Sequence, residues 1–447
     1  MVEDHLVDAY CYRSFPGPNG DGLSSLGHNR PLSAMYEISS KWRDDRLIAV
    51  GLRALVCAAL GRQNDDQRLS TAGLQSYSRA LSSINKSLQS PQLSKSNSVL
   101  AACKVLALYE LEAGSGFNWE RHVLGINRLI YFRGPSKHVD DFAHWMFLDA
   151  RYHGILAALK RREDTFLSKP EWKQIPWTGR EKDIRQELLD IVADLPSLFA
   201  EYDRINELSK FSQDVTTRSK KFFARCQNLR QGAGIWYGKF REKLRPDVWS
   251  QIENGISPSF SLAHFHIAHT LTHYWKLCLL LYSTVKLARR NFPPGTCFIS
   301  VQELQSYDPE PHAVRIASST RYFFQPGAGS IGPPLFAAPM GSALQYFAYA
   351  YSSAPLEHQQ LVEGFSSSKM GPYLAKFLTT FQASSDPWKK ADCEEDPADN
   401  YEAQRFRATK WYEEGRQPTV EHETPAQYLS AIAVDASASA RLTSQCE

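Results

Sequence analysis

Apolar positions recur along most of this chain with the period of a helix and almost nowhere with the period of a strand. Leu74, Tyr77, Leu81, Ile84 and Leu88 follow one another at helical spacing, while Arg79, Ser82, Ser83 and Lys86 take other faces. That pattern predicts an amphipathic helix. After a Ser/Pro/Gln-rich break, the more uniformly apolar stretch 99–112 predicts a second helix, stopped by Gly114 and Gly116. Asn118 is placed to cap a third, which carries Trp119, His122, Val123, Ile126 and Ile130 and ends at Gly134-Pro135. Tyr77, Leu81, Ile84, Leu106, Trp119 and Ile126 are then expected to share one core.

The same reading extends along the chain. Residues 47–60 are nearly all apolar, as a helix buried on most sides requires. Phe142, Trp145, Met146, Ile155 and Leu159 mark a helix over 142–159, and Lys160-Arg161-Arg162 at its end is expected to face solvent and suit the negative helix terminus. Residues 170–177 read as a loop. Helical patterns follow over 184–202, interrupted near Pro196, and over 220–244, 260–290 and 313–324. A Gly/Pro loop is expected over 325–339, with further helices over 340–351 and 374–381. Alternating β-branched runs are absent. The predicted fold class is therefore all-α: a large multi-helix assembly of antiparallel helix pairs around one extended core. The chain divides into an irregular N-terminal arm (1–34), a helical domain (35–384), and a tail (385–447) that is acidic over 392–399, Ala/Ser-rich near its end and expected to be partly disordered. A short helix over 409–416 is the one element expected in that tail.

Composition narrows the class. A content of 43% apolar and 22% charged residues is that of an ordinary soluble protein, and a net charge of +3 implies no strongly basic surface for nucleic acid. No apolar run approaches the ~20 residues of a membrane helix. The eight cysteines lie no closer than 19 residues apart. A binuclear zinc cluster needs paired C-x-x-C thiolates, and none is present. Cys57, Cys103 and Cys278 sit in apolar helical runs and read as buried free thiols.

Several local patterns combine into a resemblance. They are Tyr77-x-x-Ala80-Leu81, Leu106-x-x-Tyr109-Glu110, and Trp119-x-x-His122-x-x-Gly125-x-x-x-Leu129-Ile130-x-x-Arg133-Gly134-Pro135. Further along come Phe166-Leu167-Ser168-x-x-x-Trp172, Tyr274-Trp275, and Tyr322-Phe323 ahead of Pro339. In order and spacing they resemble the fungal-specific transcription factor domain, the helical regulatory region of six-cysteine zinc-cluster regulators, over roughly residues 35 to 385. Glu110, Trp119, His122 and Arg133 are the motif residues to which the resemblance gives a structural role. It implies a regulatory protein, usually nuclear. Without a zinc cluster in these residues, such a protein is expected to work through a DNA-binding partner, the transcription machinery or a small molecule, in the nucleus or cytoplasm, with no direct sequence-specific DNA binding of its own.

Candidate chemistry is sparse, and no catalytic residue stands out. Gly327-Ala328-Gly329-Ser330-Ile331-Gly332 spells G-x-G-x-x-G, but no strand precedes it and Pro333-Pro334 is expected to block the helix a dinucleotide site needs. His266, His269 and His273 fall on one side of the helix over 260–290, and His264 points away. His269 and His273 have the i, i+4 spacing of metal ligands, but Thr270-Leu271-Thr272 stands between them where a metalloprotease has a carboxylate. No metal and no cofactor is expected. His266, His269, His273 and neighbouring Tyr274 remain as ligand-binding candidates against an ordinary helix boundary with satisfied hydrogen bonds. Glu110, on a helix that buries apolar residues, demands a partner, with His122, Arg128 and Arg133 nearest in sequence. The competing function is a ligand-binding protein or an enzyme, for example a cyclase or isomerase of an apolar metabolite, in secondary metabolism. A closed apolar cavity reached by the histidines would mark it.

Overall fold

A computed structural model describes residues 33–350, apart from 91, 113–115, 209–212, 262–263, 329–331 and the side chains of a few helical residues, among them Trp119. The expected arm, the 374–381 and 409–416 helices and the tail lie outside the described residues, and so does the part assigned to the Trp119 ring. Among the described residues there is no strand, and the fold is all-α.

The first group of helices follows the chain. After α1 (Ser33–Ser40) come α2 (Arg46–Gln63), α3 (Gln67–Leu88), α4 (Asn97–Glu112) and α5 (Gly116–Arg133). Asp45 and Asp66 cap α2 and α3, each side chain accepting from backbone amides of the first turn. The three-residue link between α2 and α3 makes them an antiparallel hairpin. Helix α2 is buried on most sides, as its apolar run predicts. Helix α5 starts at Gly116, two residues ahead of the expected cap. It ends at Arg133, where Gly134 takes a positive φ of 80° and Pro135 opens a 3-10 turn.

The buried face of α3 is not the predicted one. Gly73, Ser76, Ala80 and Ile84 face inward, whereas Leu74, Leu81 and Leu88 are 56%, 39% and 42% exposed. The reason is the closeness of the α2–α3 crossing. A Cβ at Gly73 would sit 3.0 Å from the Ala58 amide and 3.2 Å from the Ala54 carbonyl, so only small side chains fit the contact line. Leu81 therefore drops out of the expected shared core, while Ile84, Leu106 and Ile126 are buried and Tyr77 is partly so.

Helix α6 (Asp141–Arg161) carries the chain into the second group and packs on α1, α4 and α5 as well as on later helices. Its basic end does not face water as expected. Lys160 is buried, and Arg162 forks onto the Asp203 carboxylate at 2.6 and 2.9 Å while lying over the Phe199 and Tyr202 rings. The predicted 170–177 loop is a short helix, α7 (Pro170–Gln174), with a 3-10 turn, because Trp172 and Trp177 are buried beneath α6.

Next come α8 (Ile184–Val192) and α9 (Leu195–Glu207), broken at 193–194 just ahead of Pro196. They lead to α10 (Gln213–Glu242), α11 (Pro246–Trp249) and α12 (Phe265–Asn291). Helix α12 is the hub of this half: α8, α9, α10, α14 and α16 all pack on it. After α13 (Val301–Gln305), the expected 313–324 helix is two pieces, α14 (Glu310–Ser318) and α15 (Thr320–Phe324). The expected 325–339 loop is mostly helix as well: α16 runs Gly332–Ala350 with Pro339 inside it. Pro333 and Pro334 fall in its first turn, where amide donors have no intrahelical acceptor to lose.

Candidate functional site

Two of the predicted histidines meet on α12, against Tyr152 of α6. His269 and His273, one turn apart, are buried with their Nε2 atoms 2.9 Å apart and their rings nearly perpendicular. Tyr152 of α6 stands edge-on to both rings, at 6.0 and 4.8 Å between centroids. The Arg185 guanidinium lies 5.6 Å from the centre of the Tyr152 ring. Burial, and after it the Arg185 charge, holds His269 well below the ordinary histidine range. Burial, then His269 and Lys276, does the same to His273. Both imidazoles are therefore neutral at pH 7, and one ring donates its Nε2–H to the Nε2 of the other.

The histidine pair links two helices: α12, which carries it, and α6, through Tyr152. Pro339, inside α16, has no amide N–H, so the Leu335 carbonyl one turn earlier loses its helical donor.

The other predicted residues are placed apart from this pair. His266 is half-buried and borders a separate void with Asp183, Arg185 and Thr270. Tyr274 turns to the other side of α12, where it stacks on Tyr237 at 4.6 Å and Trp236 at 5.3 Å. Its hydroxyl is pushed well above the ordinary tyrosine range by burial and by Cys278. The two voids, one beside His273 and one beside His266, measure about 10 Å³ each. That is room for about one water and far less than a metabolite occupies. Among the described residues no three His, Cys, Asp or Glu side chains converge as metal ligands. The described cysteines are all free, with Cys57, Cys103, Cys226 and Cys278 buried.

Glu110 finds its partner in tyrosine. Tyr77 Oη donates to Glu110 Oε1, and His122 Nε2 lies 3.1 Å from the same hydroxyl and 3.9 Å from the carboxylate. Tyr77 also stacks on Tyr109 at 4.3 Å. The motif residues of α3, α4 and α5 are in this way one hydrogen-bonded cluster. Arg133 serves elsewhere: it donates to the Ser96 carbonyl at 3.0 Å and to Asn97 Oδ1 at 2.5 Å, tying the end of α5 to the start of α4.

Sequence reasoning missed three buried charged groups on α4, α6 and α12. Lys104 Nζ is 2.7 Å from Asp149, and His153 Nδ1 is 3.5 Å from it. Burial alone would raise the Asp149 carboxyl, but Lys104 and then His153 hold it well below the usual carboxylate range. Arg151, fully buried, donates to the Gln186 carbonyl (3.1 Å), to Gln186 Oε1 (2.9 Å) and to Asp190, and lies over Trp177. Lys276 is the third. The available signal was a charged residue in phase with the apolar face of its helix.

Comparison with known proteins agrees with this architecture. Residues 47–306 match the fungal specific transcription factor domain, and the chain belongs to that family. A 125-residue stretch is 39% identical to an uncharacterized protein of Emericella nidulans, covering 28% of this chain and 27% of that relative's length. No solved structure matches. Among the described residues no helix is long and apolar enough to cross a membrane. The family supports a regulatory protein.

Proposed function

We propose that this chain is a transcriptional regulator whose helical domain acts through contacts with other proteins or a small effector, while sequence-specific DNA contact is supplied by a partner. The observation that carries this reading is a fungal transcription factor domain over residues 47–306 in a chain whose 447 residues contain no paired cysteines for a zinc cluster. A net charge of +3 supports it, because phosphate contacts in number require a basic surface. The nucleus is the compartment this function requires. The competing reading, an enzyme or carrier of an apolar metabolite, draws on the histidine pair, but the voids of about 10 Å³ beside those rings favour the regulator.

The test has two arms. Fused to a foreign DNA-binding domain, the chain should change transcription of a reporter carrying the matching site. Unfused, it should bind DNA fragments only weakly and with a shallow dependence on salt. Tight binding of the isolated chain to one defined site, with log affinity falling steeply against log salt, would overturn the partner requirement.

A further inference from the structure

The void bordered by α6, α8, α9 and α12 is walled by leucine, isoleucine and valine side chains, Leu280 among them, and by three polar residues, Tyr152, His273 and Lys276. Lys276 is only 5% exposed and Tyr152 only 6%. Among the described residues the Lys276 ammonium has no carboxylate within ion-pair distance and no hydrogen bond, and the Tyr152 hydroxyl has no hydrogen bond either. His273 already spends its Nε2 on His269. A buried ammonium with neither counter-ion nor acceptor is costly, and natural cores rarely keep one without a use. Lys276 and Tyr152 therefore border one small space whose other walls, His273 apart, are aliphatic, and among the described residues no negative charge pairs with the lysine.

We propose that this void is a binding site for one small monovalent anion, held by the Lys276 ammonium and the Tyr152 hydroxyl. The chemistry that fits is acceptor-only, singly charged and weakly demanding of further hydrogen bonds, because aliphatic walls offer none. Chloride qualifies. A water would hydrate the amine and leave its charge uncompensated. A doubly charged oxyanion would bring more charge than one lysine offsets, and the space of about 10 Å³ excludes anything bulky. Leu280, the partly exposed member of the wall, marks the side nearest solvent. Burial lowers the Lys276 pKa to about 7, so an anion arriving above that pH brings a proton with it. The titratable neighbours, His273, His269 behind it and Tyr152, stay neutral there, so the proton goes to the lysine. The proposal stands whether or not the regulatory reading does, since it requires only the folded chain.

Thermal melting of the full chain tests it. Potassium chloride is substituted for potassium gluconate at constant ionic strength, the gluconate ion being too large for the void. The midpoint should rise with chloride and saturate, and the bound ion should broaden the ³⁵Cl NMR line. Lys276→Met should melt higher than the parent in gluconate and show no chloride dependence. Tyr152→Phe keeps the ring against His269 and His273 and should weaken the chloride response roughly tenfold through one lost hydrogen bond to a charged group. Calorimetry at pH 8 in two buffers of different ionisation heat should record about one proton taken up per anion. Identical melting in chloride and gluconate would mean a void that holds water only, and a chloride response that survives both substitutions would place the anion elsewhere; either result overturns the proposal. If Lys276→Met does not fold, Tyr152→Phe and the linewidth of the parent protein still decide it.

Discussion

Arg151 shows what a single buried charge does in this fold. Its guanidinium reaches across from α6 to the Gln186 backbone and side chain and to Asp190 on α8, and its flat face covers Trp177. Burial opposes its charge and Asp190 restores it. Replacing Arg151 by Met would keep most of the volume but leave Gln186 and Asp190 facing an apolar group. Removing one partner of such a set costs about 3 kcal/mol or more, so urea unfolding should show a loss of that size; a loss under about 1 kcal/mol would mean that the residue is held by packing alone. Nothing in the sequence singled Arg151 out, because a charge on a helix is ordinarily read as solvent-facing. Glu110 was legible by the opposite logic. It stands in an apolar helix where a partner had to exist, and of the three candidates nearest in sequence His122 lies 3.9 Å from the carboxylate. The α3–α4 packing adds Tyr77, 33 residues earlier, which sequence order did not offer.

At the scale of elements, the helical period located the long helices, missed the short α1, α7, α11 and α13, and failed where the packing distance was short. The α2–α3 hairpin is the case that matters. Counting large apolar residues chose Leu74, Leu81 and Leu88 as the core face, although the crossing admits only Gly73, Ser76 and Ala80. A direct comparison follows. Gly73→Val should push the helices apart against the Ala54 and Ala58 backbone and cost about 1–3 kcal/mol. Leu74→Ala, at a side chain more than half exposed, should stay within about 0.5 kcal/mol of the parent. Chemical denaturation of the two variants reads both. The reverse order would restore the leucines to the core. Proline misled in the same manner: Pro333, Pro334 and Pro339 predicted a loop, but two fall in the first turn of α16 and the third lies inside it.

For the whole molecule, the buried histidines set a common response to acid. Burial depresses His138 and His144 to about 4 and His312 to about 3, and it lowers His269 and His273 well below the ordinary value. The sign follows from which state holds more protons. Between these folded values and about 6.5, where an unfolded histidine titrates, the unfolded chain is protonated and the folded chain is not. Stability is then complete above about pH 6.5 and falls as pH drops through that window, by about 1.4 kcal/mol per pH unit for each histidine kept neutral. The Asp149 carboxylate adds to the loss only at lower pH, because its folded value is depressed and its contribution disappears as it protonates. Replacing His269 and His273 together by Gln isolates their share. Glutamine can still donate and accept within the pair, but it does not titrate in this range. The double variant should lose some stability at pH 7.5 through imperfect geometry. Its urea midpoint should then fall less steeply than the parent's from pH 6.5 to 5, with about two fewer protons taken up on unfolding. An unchanged acid slope would mean that these two imidazoles are not the neutral, hydrogen-bonded pair that α12 buries against Tyr152.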